Sequence, residues 1–385
     1  MNILLVEPAY KVKFPSTGLM RISSYHKEKG DSVEYVRGAN MFVEKPDRIY
    51  VTSIFTYDFQ EVKDAVQFYR MRFPKAELWL GGIAATLIPE YFENLGVGYL
   101  HKGLYEPAEN FVPDYSLHPW LRTTVLLTQR GCIRRCEFCC VRLHDGPFKK
   151  INDFEKHIIK EFLKISCWDN QFLAHPDFEK VVSILAKYNK EIDFNQSLDI
   201  RLLTEPKANL LKKLNIYPLR FSFDDISYKD DFLRGVEICK KTGLSGMTVT
   251  HNGKRLKQEV RVDVLYNFRD TPEDFYERMH LILQAGACPY PMRYKPITQP
   301  DKEWMSPHWS KEELSRWMSF CKGQLGRQGD FFNPRCYIYF KGKRVRMPEV
   351  FKNRMFDTPG KKSQTEYRKE LITGRRQEDL WKEEK

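Results

Sequence analysis

Short apolar runs alternate with amphipathic stretches through the first part of the chain. NILLV at residues 2 to 6 reads as a buried strand, and Pro8, Pro15 and Gly18 mark a loop before a helix from about Leu19 to Lys29, which Gly30 ends. Val33 to Val36 gives a second strand, Asp47 to Ser53 a third, Phe59 to Arg72 a helix, and Glu77 to Leu80 a fourth strand closed by Gly81 and Gly82. Strands alternating with helices predict an α/β fold with a parallel, doubly wound, Rossmann-like (flavodoxin-like) sheet. Ligands of such sheets sit beyond the carboxyl ends of the strands, which points to Glu7 to Gly18, Ser53 to Asp58 and Gly81 to Thr86.

Glu106 to Trp120 carries Pro107, Pro113 and Pro119 and has neither a helical nor an alternating period, so a domain boundary is placed near Tyr115. Beyond it the alternation resumes. Thr123 to Thr128 reads as a strand, Phe154 to Lys164 as a helix, Ile165 to Phe172 as a strand, Asp177 to Asn189 as a helix, Asp193 to Leu198 as a strand and Lys207 to Leu214 as a helix. Leu219 to Asp224, Phe232 to Thr242, Met247 to Thr250, Arg261 to Tyr266, Pro272 to Ala285 and Pro291 to Tyr294 continue it, which makes about six strand and helix pairs between Thr123 and Pro296. After Pro296 the pattern weakens, with a helix from Ser310 to Gly323. The expected division is 1–115, 116–300 and a basic C-terminal region 301–385.

The chemistry concentrates in GCIRRCEFCC, Gly131 to Cys140, where Cys132, Cys136 and Cys139 stand in a C-x3-C-x2-C spacing directly after the strand from Thr123. Arg134, Arg135 and Glu137 would be poor neighbours for three cysteines buried as core residues. Thiolates suit iron–sulfur clusters and zinc. A structural zinc site takes four ligands, and Cys140 is a poor fourth because it adjoins Cys139. A four-iron cluster takes four cysteines, so three in one loop leave one iron open to a substrate or cofactor.

These residues resemble the radical S-adenosylmethionine (SAM) superfamily, whose hallmark C-x3-C-x-aromatic-C is matched by Cys132, Cys136, Phe138 and Cys139. The resemblance implies that the three cysteines hold a [4Fe-4S] cluster and that SAM chelates the open iron. It also puts Phe138 near the adenine, makes Cys140 a neighbour and not a ligand, and makes the second half a partial (β/α)6 barrel. Active sites of such barrels lie at the carboxyl ends of the strands. Residues 1–115 resemble the cobalamin-binding-type domain that precedes many such barrels, in ILLVEPAY, LWLGGIAATLIPE and GVGYLHKG. The family's D-x-H-x-x-G motif has no counterpart between residues 1 and 120, and His26 and His101 read as surface residues. Cobalamin could bind without a His ligand, but the simpler expectation is a domain with the fold and without the cofactor.

The same resemblance supplies SAM contacts. Asp169 and Asn170 end the second barrel strand, Arg201 matches the Arg that pairs with the SAM carboxylate, Asp224 falls where the family has an acid on the fourth strand, and Asn267 replaces the Gly of a G-x-P-G-E-T turn, with Arg269 and Asp270 in place of Pro-Gly. Each has a plainer alternative: Arg201 could bridge to Asp199 or Glu205, and Asp224 could cap the following turn. Radical SAM methylthiotransferases use three further N-terminal cysteines, and residues 1–131 contain none.

The chain of 385 residues has nine Cys and no apolar stretch near 18 residues, and MNILLVEPAY has no leader pattern. A soluble, cytoplasmic protein in a reducing compartment is expected. Net charge is +12, with Lys341, Lys343, Arg344, Arg346, Lys352, Arg354, Lys361 and Lys362 crowding one late segment. Tyr337, Tyr339 and Phe340 lie beside them, a mixture that could bind nucleic acid or pack on the barrel. Cys321 and Cys336 read as lone core cysteines. The competing functions are a radical SAM enzyme served by an external one-electron reductant, a cobalamin-dependent methyltransferase on the same core, and a nucleic-acid-binding protein with a structural metal.

Overall fold

A computed structural model describes residues 1–300, 303–324, 334, 337–340 and 343–355. Cys336, Lys341, Lys361 and Lys362 lie outside the described residues, as do the side chains of Cys321, Tyr337, Tyr339 and Phe340. The chain divides into two compact units, residues 1–176 with 295–304 and residues 177–294 with 305–385.

The first unit opens with β1 (Asn2–Glu7), α1 (Thr17–Glu28), β2 (Ser32–Arg37), β3 (Arg48–Thr52), α2 (Phe59–Arg72), β4 (Glu77–Gly81), the short α3 (Ile83–Leu87) and β5 (Tyr99–Leu100). The strands form one parallel sheet in the order β2-β1-β3-β4-β5. The apolar run of β1 serves both faces. Leu4 and Val6 join Ile49, Val51, Leu78 and the stripe Val62, Ala65, Val66 and Tyr69 of α2, while Ile3 and Leu5 join Tyr50, Leu19 and Ile22. The stripe recurs at i, i+3, i+4 and i+7, which explains why α2 is a helix of the length read from its sequence. The sheet is therefore doubly wound, with its switch point between β1 and β3.

His26 is a correction to the sequence reading. It is buried beneath α1, between Asp31 (2.7 Å) and Tyr50 (3.0 Å), because a helix that folds back to a strand needs a polar partner for the buried tyrosine hydroxyl. The proline-rich linker contains two short helical turns, α4 (Glu106–Glu109) and a tighter one over Tyr115–Leu117, and is held by Tyr115, whose hydroxyl accepts from the Val125 amide at 2.8 Å.

The first unit continues with β6 (Thr123–Leu126), β7 (Gln129–Arg130), α5 (Val141–His144), β8 (Lys149–Lys150) and β9 (Lys164–Cys167), with β6 and β9 parallel. The helix expected over Phe154 to Lys164 is only a single turn, Phe154–His157. Its apolar residues Phe154, Ile158 and Phe162 are buried, and the Ile159 amide donates to Thr124 Oγ1 at 3.2 Å, so packing against β6 overrides helical propensity.

The second unit contains α6 (Phe178–Lys187), β10 (Glu191–Phe194), β11 (Leu198–Asp199), α7 (Glu205–Leu211), β12 (Asn215–Ile216), β13 (Leu219–Ser222), α8 (Lys229–Lys241), β14 (Thr248–His251), β15 (Lys254–Lys257), β16 (Val260–Tyr266), α9 (Pro272–Gln284), β17 (Cys288–Arg293), α10 (Lys311–Gln324), β18 (Tyr337–Phe340), β19 (Lys343–Arg346) and α11 (Met347–Lys352). β10 pairs with β12, and β11, β13, β16 and β17 form a parallel sheet. The expected strand Asp193 to Leu198 is broken by Ser197 at φ 59°, whose hydroxyl donates to Asp263. Met247 to Thr250 is not a barrel strand. It belongs to the antiparallel β14–β15 hairpin, whose turn Asn252-Gly253 has φ of 47° and 75°, as a two-residue hairpin turn requires. A capping box of Thr271 and Asp274 with Pro272 at the first helical position starts α9. Each unit thus carries parallel strands of the kind a partial (β/α)6 barrel is built from, β6 and β9 in the first and β10, β11, β12, β13, β16 and β17 in the second. No helix in the described residues is long and apolar enough to cross a membrane.

Candidate active site

The cysteines lie on a closed excursion from β6. Gln129 pairs with Lys150 and Arg130 with Lys149, so the strand ends meet and the intervening residues form a hairpin loop. Gly131 permits the closure: its φ is 70°, and a Cβ there would stand 2.6 Å from the Pro147 carbonyl oxygen. Arg130 donates to Glu109 at 2.6 Å and lies 3.7 Å from Asp145, while Glu109 also accepts from Arg21 at 3.1 Å. Asp145 takes further bonds from Asn170 Nδ2 (2.8 Å) and pairs with His144 (2.8 Å). Burial would raise the Asp145 carboxyl, but His144, Arg130 and Asn170 outweigh it and hold the group below the usual carboxylate range. One carboxylate thus ties the loop to β7 and to the end of β9.

Cys132, Cys136, Cys139 and Cys140 are all thiols. Burial pushes the Cys139 thiol up to about 12, and the neighbouring Cys140, Cys136 and Cys132 add to the effect. Cys140 is also raised, chiefly by burial. The Arg134 amide donates to Cys132 Sγ at 3.3 Å, a contact that favours the thiolate, and the Cys139 amide closes the turn on the Cys136 carbonyl at 3.1 Å. Soft donors, amide contacts to sulfur and flanking guanidinium groups fit a cluster, since a cation supplies the charge that keeps buried thiols deprotonated. Among the described residues no three His, Cys, Asp or Glu side chains already stand as a closed metal-ligand group. Phe138 is half-buried on the same loop.

Asp169 sits where the loop leaves β6. Its Oδ1 accepts from the Thr128 amide (2.7 Å), the Thr128 hydroxyl (2.8 Å) and the Gln129 amide (2.7 Å), yet burial still raises the carboxyl to about 6. Among the described residues its Oδ2 and both ends of the Gln129 side-chain amide lack hydrogen-bond partners, although both residues are buried. Orphaned polar atoms of this kind call for a ligand or water. The adjoining Trp168 ring is 5.1 Å from Phe14, which edges Phe55 at 5.8 Å, and Phe55 edges Tyr10 at 5.6 Å. An aromatic seam therefore joins the carboxyl ends of β1 and β3 to that of β9.

The carboxyl ends of β1, β3 and β4 are closed by the chain itself. The Tyr10 hydroxyl donates to the Thr52 carbonyl (3.2 Å) and accepts from the Ile54 amide (3.1 Å), bridging the switch point. The Ser53 hydroxyl donates to the Gly81 carbonyl (2.8 Å) and accepts from the Ala85 amide (2.9 Å), and a Cβ on Gly82 would stand 2.6 Å from the Ser53 carbonyl oxygen.

Arg201, Asp224 and Asn267 lie in the second unit. The Arg201 guanidinium forks onto Asp199 (2.7 and 2.9 Å) and lies over the Tyr228 ring at 4.4 Å, so the ion pair weighed from the sequence is present. Asp224 does not cap the next turn; Asp225 does, accepting from the Ser227 amide at 2.9 Å. Asp224 accepts from the Leu265 amide at 3.0 Å, its own amide donates to the Tyr228 hydroxyl, and desolvation raises its carboxyl to about 6. Asn267 has φ 65°, which accounts for a residue other than Gly at that turn, because Asn tolerates the left-handed region. It is buried, and its Oδ1 accepts from the Ser306 amide at 3.0 Å. Asp270 pairs with Arg278 at 2.8 Å.

Four residues were not legible as site residues from the sequence: Gln129, Asp145, Tyr228 and Arg278. Arg278 is fully buried in α9 and donates to the Phe223 (3.1 Å) and Leu265 (2.9 Å) carbonyls. An Arg on the apolar stripe of α9 was the available signal. Gln129 and Asp145 flank the cysteines closely enough that proximity alone could have singled them out.

A parallel five-stranded sheet followed by barrel-type parallel strands, with three cysteines in a closed loop after the first of them, defines the class: the chain has the fold of the radical SAM superfamily. The radical SAM methyltransferase TsrM from Kitasatospora setae, solved with cobalamin and a [4Fe-4S] cluster bound, matches at a TM-score of 0.59 and 14% identity over 77% of this chain and 77% of that one. The same protein solved with tryptophan substrate and the SAM analogue aza-SAM matches at 0.59 and 14%, over 77% of this chain and 75% of that one. No protein-family profile matches the chain, and no curated protein sequence does.

Proposed function

We propose that this chain is a radical SAM enzyme comprising a Rossmann-like domain (1–115), a barrel (116–300) and a basic C-terminal region (301–385). Cys132, Cys136 and Cys139 would hold a [4Fe-4S] cluster, and Phe138, Asp169, Asn170, Arg201, Asp224 and Asn267 would contact SAM. A bound cluster supplies one electron for cleavage of SAM to methionine and a 5′-deoxyadenosyl radical, which abstracts hydrogen from a substrate not yet identified. The chain's own residues do the positioning. Asp145, through Arg130 and Asn170, fixes the cysteine loop; Asp169 braces its entry, and its unpartnered Oδ2 with the Gln129 amide offers donors and acceptors for a polar ligand. Asp224, with a carboxyl raised to about 6, can hold a proton at mildly acid pH.

The observation that carries this reading is the closed hairpin presenting three cysteines at the carboxyl end of β6. Anaerobic reconstitution with iron and sulfide, followed by dithionite and SAM, is expected to yield 5′-deoxyadenosine. A protein that takes up four irons and never forms it would refute the reading.

A second reading, cobalamin-dependent methyl transfer, draws on the fold shared with a protein solved with cobalamin bound. The residues here do not fit that group. Tyr10 bridges the switch point, Ser53 engages the amides behind Gly82, and His26 is buried against Asp31 and Tyr50. Protein reconstituted with hydroxocobalamin is expected to emerge from gel filtration without corrinoid absorbance, and stoichiometric retention would favour the second reading.

A further inference from the structure

The β14–β15 ribbon is inserted between α8 and β16 and adds no strand to the parallel sheets of the second unit. From Thr248 to Lys257 it contains Lys254, Arg255 and Lys257 and no acid. The pairing of Thr248 with Lys257 and of Thr250 with Arg255 puts these four side chains on one face, and all four are exposed. The other face carries the buried Val249, with Leu256 and His251. Three fastenings hold the ribbon still. The Thr250 amide donates to Asn215 Oδ1 and its carbonyl accepts from Asn215 Nδ2, both at 2.8 Å. The His251 ring stacks on Tyr217 at 4.1 Å and its Nδ1 lies 3.0 Å from Glu191. At the base, the Gly246 amide donates to the Gln258 carbonyl at 2.8 Å and the Gln258 amide to the Met247 carbonyl at 2.9 Å. Asn215 itself follows closely on Lys212 and Lys213, which are exposed. The nearby acids are Glu191, engaged by His251, and the exposed Glu259, which accepts from the Cys288 thiol at 3.5 Å. Glu205 pairs with Lys241 at 2.6 Å, and Glu237 also acts on that lysine.

We infer that the exposed face of this ribbon binds the phosphate backbone of a nucleic acid. Ammonium, guanidinium and hydroxyl groups are the donors that phosphate oxygens take up. Alternate residues of a strand repeat about every 6.6 Å, so the donors stand in rows along the ribbon, and rows suit a linear polyanion where a small anion would need donors that converge. The charge also points away from a protein partner. None of the ribbon's exposed residues carries a large apolar side chain, so the face lacks the apolar centre that holds a protein complex together. A two-stranded ribbon is narrow enough to enter the major groove of a duplex, and because this one is already fixed, binding does not have to order it. The ribbon leads into the amino end of β16, and the seven residues of that strand put roughly 20 Å between it and Asn267. It is therefore a docking surface, and the inference stands apart from the proposed radical SAM chemistry.

The test needs no cluster. Full-length protein is titrated into a short fluorescent single-stranded RNA and, separately, a short DNA duplex, and anisotropy is read across a salt series. For the probe that binds tighter, the logarithm of the dissociation constant is expected to rise linearly with that of salt. Lys254→Gln/Arg255→Gln/Lys257→Gln should raise the constant at low salt at least about tenfold and lower the slope by about two to three. Lys343→Gln/Arg344→Gln/Arg346→Gln removes the same charge from β19 and should leave the constant within about twofold. Lys254→Arg/Lys257→Arg keeps the charges of the ribbon and should bind as the wild type does. If the ribbon triple fails to fold, Arg255→Gln alone decides, with a slope lowered by about one. Equal weakening by the two triples would reduce the effect to net charge and overturn the docking surface. So would the absence of salt-dependent binding to either probe, or competition by polyglutamate of equal charge as strong as that of unlabelled RNA.

Discussion

Asp169 offers the sharpest test of how the loop is held. In the native state its carboxyl keeps its proton up to about pH 6, because desolvation outweighs three hydrogen bonds to Oδ1; unfolded, it releases the proton near 3.8. Between those values the native state binds more protons, so stability falls as pH rises from about 4 to about 6 and stays lower above that. The gap between 3.8 and about 6 is worth roughly 3 kcal/mol. Asp169→Asn keeps an acceptor for the Thr128 and Gln129 donors but cannot ionise. Urea unfolding of the two proteins from pH 3.5 to pH 8 should therefore show the wild type losing about 3 kcal/mol relative to the variant across that window. Asp169→Ala is a different case. It orphans two buried amides and a buried hydroxyl, and should cost about 3 to 5 kcal/mol at any pH. If the stability difference between wild type and the Asn variant does not move with pH, the carboxyl is not desolvated as described, and the bracing argument loses its electrostatic half.

The other tests concern the loop and the proposed SAM contacts. Ala at Cys132, Cys136 or Cys139 should abolish the brown absorbance and iron content of reconstituted protein, while Cys140→Ala keeps both; the reverse pattern at Cys139 and Cys140 would shift the ligand register by one. Gly131→Ala places a methyl against the Pro147 carbonyl at positive φ, so it should cost at least about 2 kcal/mol and lower iron retention, measured by unfolding and iron assay. Arg201→Lys keeps the charge but loses the planar fork, and should weaken SAM binding by about 1 to 3 kcal/mol in equilibrium dialysis with the cluster intact. Unchanged affinity would leave Arg201 as the partner of Asp199 alone.

The N-terminal domain was legible because its central strands β1 and β3 are buried on both faces and α2 carries one clean stripe. NILLV could only be an interior strand, and the spacing of Val62, Ala65, Val66 and Tyr69 fixed α2 with its ends. Sequence reasoning failed where tertiary contacts outvoted periodicity. Phe154, Ile158 and Phe162 recur at helical spacing, yet the helix stops after one turn, where the Ile159 amide donates to Thr124 of β6. The β14–β15 hairpin was a different failure. Its Asn252-Gly253 turn was in plain view, but the apolar run Met247 to Thr250 was assigned by its place in the alternation instead of by the turn that follows it.

The candidate site divides along the same line. The cysteines were legible because ligand spacing within one loop is a local property. What surrounds them depends on which strands end beside one another, and sequence does not show that without a fold. Asp145 looked like an ordinary loop residue until β7 and β8 closed and brought Arg130 and Asn170 to it. Tyr228 and Arg278 organise Asp224 and the turn at Asn267 from a helix entry and a helix interior, where pattern alone assigns a tyrosine and an arginine to rim and surface. The residues found by resemblance also acquired partners that resemblance did not supply: Arg201 its fork to Asp199, Asn170 its bond to Asp145, Asn267 its bond to the Ser306 amide. Any of these side chains that contacts SAM must do so with its remaining donors and acceptors or exchange a partner on binding. The cost of that exchange, about 1 to 3 kcal/mol per buried group left unpaired, is large enough to decide which of them does.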